Sequence, residues 1–443
     1  MPSTMFDLFS IDPLSVTMLI LVNYVFLLVG KFANRYLRGD ASYRPFFTYF
    51  PALVVSLNIL VISDNALLFL GAWGLSNTLL GLLMGYRSKW KAARESAILA
   101  YKAFAIGWLC LAGAFALLIW DAGTLSIHKI ITTPEAPIWA LWLIFATAMT
   151  QSALWPFHKW LTSSLNSPTP ASAMMHAGLV NGGGFLLAKM APLYLGHDLI
   201  LTTVFCLGLA TAVVGTLWKL VQNDYKRMLA CSTMGQMGFM IAQCGLGLFA
   251  AAVAHLCWHG LYKAYMFLGS GSAPQEKRYD LNQSINIKNF TAASIFGIWG
   301  GSLFTLIAYP DLDKFDTRFI LVSVAMIAGT QLVLPLLGKL KPSQWFMALI
   351  KVSFFACLYG LSVRSIDLIL EPLNINQPYE LNIFHWIGLM TLVLSWMSML
   401  FHKNKNHISQ YPKFVQRLYV MALNGGQPHT STVTTHKNQY TDR

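Results

Sequence analysis

Long apolar blocks, rather than alternation or narrow stripes, dominate this chain, and they predict thirteen helices at residues 14–33, 46–63, 65–85, 97–119, 138–155, 171–194, 199–221, 226–247, 250–271, 290–309, 317–338, 344–364 and 382–402. Several are clean apolar windows of about 18 to 22 residues, the length that crosses a hydrocarbon core about 30 Å thick. The pattern therefore predicts an all-α polytopic membrane protein of about 13 transmembrane helices. Glycine interrupts the blocks at 65–85 and 171–194 and weakens both. The stretch 138–194 is irregular: Trp155-Pro156 closes an apolar helix, because proline removes a backbone donor, and Asn166-Ser167-Pro168-Thr169-Pro170 separates it from the next helix. That helix continues through Asn181-Gly182-Gly183-Gly184, where glycines permit close packing or local unwinding beside a cavity. Ser63-Asp64-Asn65 reads as a hydrogen-bonding turn with Asp64 as a helix cap. An amphipathic arm at 6–15 leads into the first helix, and the polar tail after residue 403 reads as disordered.

Composition narrows the class. The 443 residues are 56% hydrophobic and 11% charged, against about 25% charged in a typical soluble domain. The net charge of +13 does not collect on one surface. In an alternating topology with the N-terminus outside, basic residues such as Lys31, Arg35, Arg38, Arg87, Lys89 and Arg94 fall in cytoplasmic loops. Acids such as Asp121, Glu135, Asp311, Asp313, Glu371 and Glu380 fall opposite. This is the positive-inside bias, and it puts the C-terminus in the cytoplasm. The charge orients the protein in a bilayer and argues against nucleic-acid binding. Six cysteines lie inside predicted helices without a Cys-x-x-Cys pair and read as small apolar residues. No signal-peptide pattern precedes the first helix, since Asp7 and Asp12 stand where a basic region belongs.

The chemistry concentrates in residues 254–268. His255, His259 and Lys263 recur every four residues, so a helix stacks them on one face over about 12 Å. Titratable groups within a membrane span are costly and usually face a water-filled path or a partner. A zinc reading of His255, Cys257 and His259 fails on geometry, because two residues rotate a helical side chain by about 200°. Two readings remain. Imidazoles take a proton on one nitrogen and release one from the other, and a buried amine can also exchange protons, so the stripe can act as a relay with bridging waters. Alternatively, the three side chains only join helices through hydrogen bonds. His176 carries the same two readings, Lys219 is a further candidate at the end of its helix, and Lys351 reads as a cation that snorkels to the inner surface. There is no phosphate loop, nucleophile elbow or carboxylate pair, so no catalytic, cofactor-binding or metal-ligating set is expected in this chain.

These residues carry a resemblance. Asp224-Tyr225-Lys226-Arg227-Met228-Leu229-Ala230-Cys231-Ser232-Thr233-Met234-Gly235-Gln236-Met237-Gly238 is similar to a signature of the antiporter-like subunits of respiratory complex I and of Mrp-type cation/proton antiporters. So are His255 to Leu268, Pro156 to Leu161, Pro168-Thr169-Pro170 and Met175-His176-Ala177, with weaker matches at Asp12-x-Leu14-Ser15 and Ser63-Asp64-Asn65. The resemblance covers about residues 6–275. It implies inverted five-helix repeats, each with a broken helix and a half-channel: residues 1–45 as arm and first helix, 46–194 and 199–342 as the repeats, 343–402 as C-terminal helices and 403–443 as a cytoplasmic tail. The family usually has a glutamate where Gly74 follows Trp73, and a lysine where Gln151 stands. It also has a lysine in the second broken helix, and residues 290–309 hold none.

Within the family, Ser164 to Pro170 and His176 to Phe185 most resemble the membrane subunits of DAB inorganic-carbon accumulation systems. That resemblance implies a multi-pass subunit of a bacterial inner membrane, with a soluble DabA-type, zinc-containing, carbonic-anhydrase-like partner. Proton flow past Lys263, His259, His255 and His176, with Lys219, would then drive conversion of CO2 to bicarbonate, and the zinc would belong to the partner. Two alternatives stand beside it: a complex I or Mrp antiporter subunit, and a non-conducting membrane anchor.

Overall fold

The computed structural model describes residues 8–133, 135–271, 287–312, 314–338, 345–401 and 412–434. Three isolated bridges (Phe9 with Ser63, Asn65 with Ser126, Asp316 with Glu380) are the extended pairings among these residues; the rest of the ordered chain is helix and connection. In order, the helices are α1 (Pro13–Tyr36), α2 (Tyr43–Ile62), α3 (Ala66–Met84), α4 (Lys91–Ala122), α5 (Ile127–Ile131), α6 (Ile138–Gln151), α7 (Lys159–Thr162), α8 (Thr169–Ala177) and α9 (Gly182–Lys189). They continue with α10 (Asp198–Val221), α11 (Tyr225–Gly245), α12 (Phe249–Leu268), α13 (Ile287–Ala308), α14 (Arg318–Leu337), α15 (Trp345–Leu370), α16 (Ile383–Phe401) and α17 (Lys413–Gly425). By length and composition, 8 helices among the described residues can cross a membrane. Every predicted apolar block holds a helix, but the interrupted block 171–194 holds two, so the blocks do not map one to one onto spans.

Local chemistry explains the boundaries. Asp12 caps α1 by accepting from Ser15 N at 2.6 Å, with Pro13 in the first turn. Asn65, not Asp64, caps α3, accepting from Leu67 N and Leu68 N at 3.0 and 3.2 Å. Asp64 reaches across instead to Ser126 Oγ (2.6 Å) and His128 N (2.8 Å), tying α5 to the α2–α3 turn. The block 138–155 ends early, at Gln151. There Ser152 donates to the Val180 carbonyl at 2.8 Å, Ala153 takes φ 52°, and the Trp155–Pro156 bond is cis. The block 171–194 breaks at Gly178 (φ −114°, ψ −80°), leaving α8 and α9 joined by a single turn at 179–181.

Connections alternate between two ends of the bundle. One holds the basic loops, where Arg87 pairs with Asp40 at 3.7 Å. At the other, Lys189 pairs with Asp12 at 3.6 Å and Arg318 with Asp316 at 2.6 Å. In the middle, α10 and α11 touch backbone to backbone: a Cβ at Gly215 would meet Gly235 N at 2.5 Å, and one at Gly238 would meet Ala212 N at 2.5 Å. Small residues let membrane helices approach this closely, where no aqueous hydrophobic effect drives their association.

Two expectations need correction. The second half has no broken helix among the described residues: α13 runs unbroken from Ile287 to Ala308, and α14 is continuous to Leu337 with Pro335 inside its last turn. The tail is not featureless either. Part of it (403–411 and 435–443), like Phe6, Asp7 and Asp313, lies outside the described residues, but Lys413–Gly425 forms α17 against α10, and residues 425–434 run back across the basic end. The composition of the tail hid its partners. Lys159 Nζ donates to the Gly425 and Gln427 carbonyls at 3.1 Å each, Arg227 to Gln427 Oε1 at 2.8 Å, Asn166 to the Thr432 carbonyl at 2.9 Å, and Trp90 to Thr434 Oγ1 at 3.0 Å.

Candidate functional site

The four-residue spacing on α12 holds in three dimensions. Lys263 is fully buried, His259 is 5% exposed and His255 half-buried. The two imidazoles stack with ring centroids 6.1 Å apart, and Phe239 of α11 packs on His255 at 5.4 Å. Gly260 lets α12 press on the broken segment, since a Cβ there would sit 2.8 Å from the Ala177 carbonyl.

Lys263 Nζ donates to the Leu229 carbonyl of α11 at 3.1 Å. Thr233, one turn further on, donates to the same carbonyl at 3.0 Å, and its hydroxyl lies 3.0 Å from His176 Nδ1. With the Thr233 proton committed to Leu229, His176 Nδ1 carries the hydrogen and donates. The His176 ring also lies flat on Phe267 of α12, 4.2 Å away. The structure thus brings His176, Thr233, Leu229 and Lys263 into one hydrogen-bonded line across α8, α11 and α12. The line has the geometry of helix glue, and it also connects two titratable groups. No carboxylate pairs with Lys263 among the described residues.

A cavity of about 630 Å3 opens between α10–α12 and α13–α15. His255, His259, Gln236 and Tyr359 line it, with Trp258 at its side. Lys219, in the last turn of α10, lies exposed at its margin. Lys263 is not among the lining residues; it sits behind His259 and Tyr262, which are. His259 Nε2 is buried without a hydrogen-bond partner among the described residues. A cavity this size holds many waters, and buried polar atoms need such partners.

The N-terminal half offers a contrast at the corresponding positions. Gln151, at the end of α6, and Asn77 of α3 exchange two amide hydrogen bonds, 3.1 and 3.0 Å, and Gln151 also donates to the Leu179 carbonyl at 3.2 Å. Both amides are about 4% exposed. At Gly74 a Cβ would press within 2.9 Å of Trp108 Nε1, which donates to the Leu70 carbonyl at 3.0 Å. The space beside Trp73, Ser76 and Gln151 is about 30 Å3, room for a water or two.

Several contributors escaped sequence reasoning. Asn77 lies four residues after Trp73 and hence on its helix face, a signal available once Gln151 had been singled out. Thr233 sat unnoticed within the recognised α11 motif. Lys159 was legible as a cation, but its partners lie 266 and 268 residues away. Lys351 lies on the exposed side of α15. Among the described residues no three His, Cys, Asp or Glu side chains group to hold a metal ion, and the six cysteines are unpaired.

Comparison with known proteins fits this architecture. The transmembrane family of NADH:quinone oxidoreductase/Mrp antiporter matches residues 63–340, and the N-terminus of NADH-ubiquinone oxidoreductase (complex I) chain 5 matches residues 8–47. The chain is 37% identical over 286 residues to a probable inorganic carbon transporter subunit DabB1 of Halothiobacillus neapolitanus, covering 62% of this chain and 51% of that protein. A probable subunit DabB of Bacillus subtilis is 38% identical over 272 residues, covering 59% and 53%. NADH-quinone oxidoreductase subunit L of Pseudomonas aeruginosa is 36% identical over 279 residues, covering 61% and 45%. Among solved structures, the Mrp complex of Dietzia sp. matches with a TM-score of 0.57 at 22% identity, over 94% of this chain and 52% of that one. The chain spans about half the length of the curated relatives it matches. It is a multi-pass membrane protein and belongs to the NADH:quinone oxidoreductase/Mrp antiporter transmembrane family.

Proposed function

We propose that this chain is the ion-conducting membrane subunit of an energy-coupled inorganic carbon transporter, with protons as the coupling ion. The observation that carries the reading is the row His255, His259 and Lys263 beside a 630 Å3 cavity, with no carboxylate among the described residues to neutralise the lysine. In lipid such groups are costly and mark ion routes. His259 and His255 pass protons between the cavity water and Lys263, by accepting on one ring nitrogen and releasing from the other. The Leu229 carbonyl holds the ammonium in place, and His176 acts through Thr233 as its fixed neighbour. Lys219 at the cavity margin sets the local field for cations entering there.

The likeness to DabB-named subunits supports inorganic carbon as the cargo. The partner in this reading is a DabA-type, zinc-containing, carbonic-anhydrase-like subunit that would hydrate CO2 one way at the expense of the ion gradient. The setting is a bacterial inner membrane, with the N-terminus outside, the basic end cytoplasmic, and residues 46–194 and 199–342 as two inverted repeats. The chain performs no chemistry of its own in this scheme.

The test is co-expression with such a partner in cells that need added CO2 to grow. Growth in air is expected, lost on adding an uncoupler or on Lys263→Ala. Rescue that survives both would remove the ion path. A second reading, a docking anchor that no longer conducts, is favoured by the neutral Asn77–Gln151 pair. Proton flux into proteoliposomes that is the same with and without Lys263 would select it.

A further inference from the structure

The stripe on α12 ends at His255, about 9 Å short of the acidic end by helical rise, and the function proposed above leaves that last stretch without a route. Tyr359 of α15 lines the same cavity as His255. Beyond it, Gln243 lies two residues before the end of α11, fully buried, with both side-chain amide atoms lacking a hydrogen bond of good geometry among the described residues. The Tyr359 hydroxyl lies beside that amide. Phe304 of α13 stacks on Tyr359 at 5.3 Å and meets Tyr309 edge-on at 6.0 Å, bridging the two rings. Among the described residues the Tyr309 hydroxyl is likewise buried without a partner, and the Arg318 guanidinium, paired with Asp316, lies 5.9 Å from the Tyr309 ring centre at the acidic end.

Three buried polar atoms from two side chains, set in sequence between a cavity and the surface, form an unusual arrangement. Each unpaired amide or hydroxyl in an apolar setting costs roughly 1–3 kcal/mol, and in a bilayer interior water or another polar group must satisfy it. A structural role would be expected to leave such atoms paired to neighbouring backbone, as Thr233 and Thr317 are. Polar atoms left over in this way are groups that water can bridge.

Resting on the ion-path reading, we propose that Gln243, Tyr359 and Tyr309 form the outward segment of the passage, carrying protons between His255 and the acidic end at Asp316 and Arg318. The transfer needs no ionised tyrosine. A hydroxyl accepts a proton from water on one side and releases its own to water on the other, so one O–H bond forms as another breaks and the phenol stays neutral. Gln243 moves no proton. Its carbonyl and amide orient the water between the two phenols, which makes it a positioning residue.

Two measurements on the full chain in proteoliposomes test this. In Gln243→Cys, a small hydrophilic thiol reagent added at the acidic face should modify position 243, read site by site by mass spectrometry against the native cysteines. An unmodified Cys at 243 overturns the hydrated segment, whatever the protein conducts. Gln243→Leu should lower proton flux at least tenfold at unchanged melting temperature, while Gln243→Asn, which retains the amide, should stay within threefold of the parent. Tyr309→Phe should lower flux about fivefold. If Gln243→Leu conducts like the parent while Lys263→Ala is silent, the outward route is wrong and the stripe stands. If Lys263→Ala conducts like the parent, the underlying path falls and this proposal with it.

Discussion

The two halves of the protein treat buried polarity in opposite ways. Around α3 and α6, Asn77 and Gln151 satisfy each other as neutral amides beside about 30 Å3 of space. Around α11 and α12, Lys263 has no counter-ion and His259 has an unpaired nitrogen among the described residues, and about 630 Å3 opens next to them. A reciprocal amide pair is a closed arrangement: both oxygens and both nitrogens bond within the protein, and neither amide carries a charge to pass to water. An ammonium held by a carbonyl has protons to give. The two halves therefore differ in whether buried polar groups close on each other or stand beside open space.

The largest effect should come from breaking the charged half. Lys263→Ala is expected to reduce proton flux by roughly a hundredfold, the scale of removing a general acid–base group, as measured with a pH-sensitive dye in proteoliposomes. A conducting Lys263→Ala protein would erase the contrast. Charging the closed half should be nearly as costly to stability: Gln151→Lys buries a cation with no carboxylate beside it and is expected to cost about 3–5 kcal/mol. Its melting temperature should fall without any gain in flux, and a gain would mean that the N-terminal half still holds a usable path.

Smaller changes sharpen the comparison. Gln151→Leu leaves Asn77 buried and unpaired, a loss of about 1–3 kcal/mol, seen in thermal unfolding, while flux should stay within about twofold. A matching collapse of flux would assign the amides a conducting role. Thr233→Val removes the hydroxyl between His176 and the Leu229 carbonyl, a loss of about 1 kcal/mol. Expected here is a fall in flux of roughly fivefold, with His176→Phe giving no further loss in the double variant. Additive losses would mean that His176 acts independently of Thr233.

Much of this was readable from residue order. The α12 stripe needed only the 3.6-residue period, and the break near Pro156 needed only proline chemistry, because both are local rules. The exact endings were not legible. α6 stops at Gln151 because Ser152 bonds to Val180, 28 residues away, and no local pattern encodes that. Polarity misled in the tail. Lys413 to Thr434 reads as solvent-seeking, yet its backbone carbonyls satisfy Lys159. Cavity shape was equally out of reach, since it depends on how α13–α15 stand off from α12, and none of these helices carries a motif that reports spacing.

The return of residues 425–434 across the basic end has a consequence for biosynthesis. Lys159 and Arg227 gain these partners only when a segment 266 and 200 residues further along has left the ribosome. At typical synthesis rates of about 5–20 residues per second, that delay is roughly 10–50 seconds. Until then, two cations at the mouth of a newly inserted bundle face water without the carbonyls that later hold them. The basic end therefore takes its final packing only after residues 425–434 have been synthesised and have folded back across it.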